Sequence, residues 1–478
     1  MDNSTTFVIT LVAFIIDIAL RIFLIFYVPR GRKPTAATAW LLAIFLIPGI
    51  FVLILFGIIG TTRPSRTRRK RQAIINAKVL SSQQSITQNS FNDEIDPFIH
   101  LSRNLSKFPA VWGNRSSLHD NYIETIERIT RDVAKAKHYV YIESYILSLD
   151  VVTEKLFEAM EQAVTRGVVV YVLFDSFGSR NFKHTRAMKR RMTKAGIRWK
   201  PMLPISLVPG KYSRPDLRNH RKLIAIDNTT GYIGSLNLIE PRYERKDDII
   251  YEELVLRTEG PIAAHTAAII AGDWYSETAE ILKHFRETPK HTAETGQLMQ
   301  MIPSGPAYKN ENNLKLFLSL IYSAKKKIVI TNPYLVPGEP LLMALITAAQ
   351  RGIDVTILNS EAVDQWMVGH AQRSYYMQLL NAGIHLYLRH APTLLHSKHI
   401  TIDNDIAIIG SSNMDVRSFE LNYECSLAIY DSAVVKKLQK IQTRNISESY
   451  LLTKTIWKKR GAWSLFLDSV ARLTSALQ

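Results

Sequence analysis

The chain has 478 residues, 46% of them hydrophobic, and 60 Lys and Arg against 42 Asp and Glu give it a formal net charge of +18. That length accommodates more than one domain and a substantial core, and the basic excess points to anionic partners, phospholipid headgroups or nucleic acid, without choosing between them. A single cysteine, Cys425, excludes an intrachain disulfide and a cysteine-rich metal site, and it fits a reducing compartment for the main body.

The first elements are apolar. Phe7 to Val28 is almost wholly hydrophobic and Ala36 to Gly60 carries no charge, and each is long enough to cross about 30 Å of hydrocarbon as a helix. A membrane hairpin over residues 1–62 is predicted, with spans at 7–28 and 36–60. Asp17 and Arg21 stand four residues apart and can pair on one helix face. No Lys or Arg precedes the first apolar run and a second follows, which disfavours a cleaved signal peptide. Arg30, Arg32 and Lys33 lie in the connector, whereas Arg63, Arg66, Arg68, Arg69, Lys70 and Arg71 follow the second span. The heavier cluster places the rest of the chain in the cytoplasm, with a basic linker over 63–108 near anionic lipid.

Beyond the linker two segments run in parallel. Tyr139–Leu147, a helical stretch ending at Ala163–Gly167, and Val168–Phe174 form the first. Ile328–Pro337, a helical stretch ending at Ala348–Gly352, and Ile353–Leu358 form the second. Each reads strand, helix, strand, with glycine where a helix C-terminus favours it. Each is followed by an apolar strand pair, Lys222–Ile233 and Lys398–Ile409. The pattern predicts two related α/β halves with mixed sheets flanked by helices, over 109–285 and 300–450, and a tail over 451–478.

Both halves carry one motif. His220, Lys222 and Asp227 precede Gly234-Ser235-Leu236-Asn237; His396, Lys398 and Asp403 precede Gly410-Ser411-Ser412-Asn413 at identical spacing. One H-x-K-x4-D match is expected in about a few per cent of chains this long, and each G-S-x-N lowers that by a factor on the order of thousands. Two imidazoles supply a nucleophile for phosphorus and a proton donor for a leaving oxygen. Lys222 and Lys398, two residues along the strand, face the same way and neutralise phosphoryl charge without a metal. Ser235, Asn237, Ser411 and Asn413 are candidate phosphate donors. Asp227 and Asp403 complete the candidate catalytic set, although their offset of seven turns them to the opposite strand face and favours a structural role. Glu252 and Glu424, each preceded by tyrosine, are the candidates for orienting the imidazoles, with Glu253 beside the first.

The paired motifs resemble the phospholipase D superfamily across the whole soluble body. The resemblance implies a pseudo-twofold arrangement of two halves around one active site, a phosphohistidine intermediate, and neither metal nor other cofactor. Arg32-Lys33-Pro34, Ala39-Trp40-Leu41-Leu42, Pro48 and Gly57, with the run Asn413 to Glu424, look like the bacterial cardiolipin synthases. That narrower resemblance implies a multi-pass inner-membrane phosphatidyltransferase acting on phosphatidylglycerol, with no nucleic-acid partner and no indication of oligomeric state. A membrane-anchored phospholipase D or nuclease of the same superfamily, and a non-catalytic scaffold, are the rival classes. The first motif departs from the pattern, because Leu238 to Asp248 is charged and longer than its counterpart, which blurs the register of the first glutamate.

His184, His265, His284 and His291 fit no metal-ligand spacing and are expected at the surface or locally satisfied. Nine Lys or Arg and no acid lie between Arg180 and Lys200, a solvated helix face or a lipid-engaging one. The tail from Trp457 to Leu477 mixes Trp457, Trp463, Phe466 and Leu467 with Lys458, Lys459 and Arg460, and either packing on the body or lying in a membrane interface fits it.

Overall fold

The computed structural model describes residues 3–30, 32, 34–46, 65, 67–74, 94–205, 214, 216–245, 248–282, 295–308 and 311–475. The chain divides into two units, Met1–Arg63 and Pro64–Gln478. In the first, helix α1 (Asn3–Tyr27) precedes α2 (Pro34–Leu46). Among the described residues α1 is the one helix long and apolar enough to span a bilayer. Asp17 and Arg21 pair at 2.6 Å on its face, and Leu24, Val28, Ala37 and Ile44 form a small core between the two helices. The larger part of the expected second span, residues 47–60, lies outside the described residues.

In the second unit the first half supplies β1 (Ala110–His119), β2 (Tyr139–Ser144), β3 (Val169–Asp175), β4 (Arg198–Met202), β5 (Leu223–Ile226), β6 (Thr230–Gly234), β7 (Ile250–Glu252) and β8 (Val255–Glu259). The second half supplies β9 (Gln297–Ser304), β10 (Lys327–Thr331), β11 (Leu335–Val336), β12 (Asp354–Ser360), β13 (His385–Arg389), β14 (Thr393–Leu395), β15 (His399–Ile402), β16 (Ile406–Gly410), β17 (Met414–Asp415), β18 (Glu424–Tyr430) and β19 (Ser449–Leu452). Among the described residues, fifteen of these strands join one mixed sheet in the order β4-β3-β2-β5-β6-β8-β1-β9-β18-β16-β15-β10-β12-β13-β19. Outward from the antiparallel β1–β9 seam the two halves repeat the same order, and β19 extends the second. In each half the three outer strands, β2-β3-β4 and β10-β12-β13, are parallel and the rest antiparallel.

The local reasons are visible in the residues. β2 is buried along its whole length, as a strand covered on both faces must be. On one side lie Ile126, Ile129 and Val133 of the helix Tyr122–Ala134, which begins where Asn121 accepts a hydrogen bond from the Glu124 amide. On the other side is a core shared by the halves, in which Leu223, Ile233 and Leu256 meet Ala407, Ile409 and Leu427. The helix Pro261–Thr278 is apolar around almost its whole circumference and is buried in that shared core. Gly167 and Gly352 turn their helices off at φ 89° and 85°, where a side chain at Cβ is disfavoured.

Two expectations change here. The linker is helical over 67–74, and Arg68 pairs with Glu277 while Arg71 donates to the carbonyls of Ser276 and Glu277. These two cations are held by the body and are not left to face lipid. His265 is neither exposed nor satisfied, since both ring nitrogens are buried without a hydrogen-bond partner and its ring stands edge-on to Phe108. Burial alone lowers its pKa to about 4, so it sits neutral in the core. His184 is exposed ahead of the helix Thr185–Lys194, and His284 and His291 lie outside the described residues. Within the basic run Arg191 pairs with Glu154 and Glu161, and Arg198 with Glu280.

Candidate active site

Asp227 and Asp403 lie away from the histidines. Each adopts the left-handed backbone region, at φ 52° and 50°, and each carboxylate accepts from three consecutive backbone amides. Asp227 takes those of Lys137, His138 and Tyr139 at 2.7–2.8 Å, and Asp403 those of Lys325, Lys326 and Lys327 at 2.8–2.9 Å. They tie the β5–β6 and β15–β16 turns to the starts of β2 and β10, at the strand ends away from the histidines. As catalytic candidates they are therefore corrected. They carry the register of the histidine strands.

The histidine-bearing segments are held across the pseudo-twofold axis. β14 pairs with β7 in parallel, placing Leu395 opposite Glu252, and the His396 amide donates to the Glu252 carbonyl at 2.8 Å. Asn219 bridges Tyr423, and the His220 amide donates to the Tyr423 carbonyl at 2.9 Å. The carboxylates consequently come from the opposite half. Nδ1 of His220 lies 2.9 Å from Oε1 of Glu424, and Nδ1 of His396 lies 2.7 Å from Oε1 of Glu253. Glu252 is displaced from its expected role: its carboxylate pairs with Arg389 at 2.9 Å. Successive side chains on an extended backbone point to opposite faces, so one residue decides which glutamate enters. Ser235 opposite Leu254 and Ser411 opposite Cys425 fix the equivalence of Glu253 and Glu424.

Burial and charge shape the electrostatics. Burial is the largest influence on His220 and lowers its pKa to about 4 against the raising effect of Glu424, with Lys222 and Lys398 lowering it further. His396 is lowered for the same reasons, with Glu253 as the opposing carboxylate. Burial opposes ionisation of Glu253 and Glu424 as well, but the imidazoles and lysines hold both below the ordinary carboxylate value. Burial, then repulsion from Lys398, brings Lys222 down to about 7; burial brings Lys398 down to about 8. Each lysine acts on the imidazole of the other half, which marks one convergent site and not two. Their ammonium groups are held over the chain by the carbonyls of His220 and His396, and Lys222 stands 5.2 Å from the Tyr145 ring centroid.

The four proposed phosphate donors divide. Ser411 donates to Glu424 at 2.5 Å and accepts from the Cys425 amide. Ser235 accepts from the Leu254 amide. Asn237 accepts from the Ile146 amide and donates to Tyr243. The two serines are committed to the segments that carry the glutamates and Asn237 to Ile146 and Tyr243, whereas Oδ1 of Asn413 is buried without a hydrogen-bond partner. Behind His220 a network escaped sequence reasoning. Arg221, buried, pairs with Asp273 of the central helix and donates to the carbonyls of Glu424 and Ser304. Asn219 donates to Glu143 at 2.8 Å. Around His396 the rings of Tyr251 and Tyr334 stand edge-on, and both hydroxyls donate to Asp364. An arginine inside the motif, where its counterpart is Ser397, was the available signal for the first of these. Among the described residues no group of three or more His, Cys, Asp and Glu could hold a metal ion.

Two buried imidazoles, each with its Nδ1 on a carboxylate and a lysine alongside, form an arrangement suited to nucleophilic transfer at a phosphodiester. A family model described as Cardiolipin synthase, PLD-like domain, matches residues 129–274 and 317–445. Cardiolipin synthase A of Proteus mirabilis (strain HI4320) is 32% identical over 465 residues, 95% of this chain and 95% of the relative. Cardiolipin synthase A of Yersinia pseudotuberculosis serotype O:3 (strain YPIII) is 33% identical over 447 residues, 91% of each. Among solved structures, phosphatidylserine synthase from Haemophilus influenzae Rd KW20 aligns with a TM-score of 0.62 and 14% identity over 81% of this chain and 100% of that one, a likeness of fold alone.

Proposed function

The chain belongs to the cardiolipin synthase family of phospholipase D-like proteins, and from that premise we propose that it transfers a phosphatidyl group between two phosphatidylglycerol molecules, releasing glycerol. The observation that carries the chemistry is the exchanged pair of Nδ1–carboxylate contacts. By occupying Nδ1, Glu424 and Glu253 leave Nε2 of His220 and His396 for the reacting phosphodiester.

In this reading His220 attacks the phosphorus of the first phosphatidylglycerol, the bond from phosphorus to the glycerol oxygen breaks, and His396 delivers the proton that the departing glycerol takes. The second phosphatidylglycerol then gives its hydroxyl proton to His396, its oxygen attacks phosphorus, and the bond to His220 breaks. The substrate's own negative charge offsets Lys222 and Lys398, which favours the protonated His396 that the first step requires. Assignment of nucleophile and acid follows the family resemblance, because the two halves are chemically alike. The same proposal places the chain in the membrane through α1 and a second span, with the catalytic body cytoplasmic.

Purified protein given phosphatidylglycerol alone, in excess EDTA, should form cardiolipin and an equal amount of glycerol. Strict dependence on a nucleotide-activated lipid, or loss of activity restored by one divalent ion, would overturn the reading.

A further inference from the structure

The last helix of the body is amphipathic in the reverse sense. Ala462–Arg472 docks on the helix Trp366–Asn381 through its polar side. Asp468, buried, meets Nδ1 of His370 at 2.6 Å and Arg460 at 2.5 Å, and Ala471 enters the core. Its outward stripe is apolar at helical spacing: Trp463 is 70% exposed, Phe466 54%, Val470 45% and, just beyond, Leu473 85%. Trp463 and Phe466 stack at 5.3 Å. A surface helix in water normally presents the opposite arrangement, and an exposed aromatic patch of this kind marks a contact surface.

Charge identifies the partner. Residues 449–475 contain five cations and one acid, and that acid is Asp468, already paired inward. Lys454, Lys458 and Lys459, just before this helix in the chain, are exposed. Aromatic side chains flanked by lysine suit the headgroup layer of an anionic bilayer. The patch also adjoins the site. Trp366, 61% exposed, stands edge-on to His370 at 4.6 Å, and two residues before it Asp364 binds the Tyr251 and Tyr334 hydroxyls against His396.

We propose that the outward face of Ala462–Arg472, with the Trp366 corner, is an interfacial docking surface for an anionic phospholipid bilayer, holding the mouth of the active site at the headgroups from which it takes substrate. The inference rests on the phosphatidyltransferase reading for its purpose, but its geometry can be tested without activity. Cys425 is buried, so the full-length Phe466→Cys protein offers one accessible thiol for a polarity-sensitive dye. Lys326→Cys, at the opposite end of β10 from the site, is the control. In vesicles of phosphatidylethanolamine and phosphatidylglycerol, lipids with brominated acyl chains should quench the dye at 466 and leave the dye at 326 unaffected. Equal, weak quenching at both positions overturns the proposal, as does chain-to-chain cross-linking at 466 without quenching, which assigns the face to a second copy. In a second measurement, the Trp463→Ser, Phe466→Ser double variant should need roughly tenfold more phosphatidylglycerol in the vesicle surface for half-maximal rate, on the scale of losing two interfacial aromatics. Turnover on dispersed short-chain phosphatidylglycerol should be unchanged. Vesicle kinetics equal to the unsubstituted protein would also overturn the proposal. If the unsubstituted protein makes no cardiolipin, the functional reading fails and the quenching result stands by itself.

Discussion

Glu253→Gln and Glu252→Gln differ by one position and should differ by orders of magnitude in effect. Glu253 is buried and accepts from Nδ1 of His396 at 2.7 Å and from the Tyr243 hydroxyl at 2.9 Å. The glutamine preserves volume but removes the counter-charge of the imidazolium. A charge-assisted hydrogen bond is worth about 1.5–3 kcal/mol, and the uncompensated charge in a buried site brings the loss of transition-state stabilisation to about 3–4 kcal/mol, or two to three orders of magnitude in kcat. Glu252 is half-buried and paired with Arg389, which Glu448 also holds, and a partly solvated pair of this kind contributes about 1 kcal/mol. Its variant should keep kcat within about threefold. The assay is cardiolipin formation at saturating phosphatidylglycerol, with thermal midpoints measured on both proteins so that unfolding is not mistaken for catalysis. Glu253 raises the pKa of His396, so its removal should also move the alkaline limb of the kcat profile to lower pH. Equal damage from the two variants, or a dominant effect of Glu252, would refute the crossed pairing.

The two histidines should fail differently. Offered a phosphatidyl donor whose leaving group needs no proton, His396→Ala should still accumulate labelled phosphatidyl-protein and His220→Ala none; label on His220→Ala alone reverses the roles, and label on neither removes the covalent step. The lysine pair makes stability depend on pH. Their folded values of about 7 and 8 lie below the ordinary 10.5, so the unfolded chain binds more protons across roughly pH 7–10 and stability should rise with pH through that window. Lys222→Met should flatten the rise and increase the thermal midpoint at pH 7 while abolishing most activity; an unchanged slope refutes the assignment. Asp227→Asn weakens the cap on three backbone amides, and a stability loss of about 1–2 kcal/mol is expected, with kcat per folded molecule nearly intact. A loss comparable to that of a histidine variant would return Asp227 to the catalytic set.

The candidate catalytic residues were legible because their relations are local. A histidine and a lysine two apart on a strand share a face whatever the rest of the fold does, and repetition of the spacing announced two halves. The offset of seven similarly told Asp227 and Asp403 apart from the catalytic pair, and Gly167 and Gly352 marked helix ends by a conformation few other residues adopt. Partners 204 and 143 residues away leave no such mark. Glu424 lies twenty-eight residues after His396 and Glu253 thirty-three after His220, yet each serves the other half's histidine. The longer segment over 238–248 disguised the equivalence of the two carboxylates, and strand alternation made a one-residue uncertainty in register decisive. The buried pair of Arg221 and Asp273, the neutral His265 and the hydroxyls of Ser235 and Ser411 were likewise decided by tertiary structure. In each case the sequence supplied a polar group, and only the packing of one half on the other determined what desolvated it and what met it.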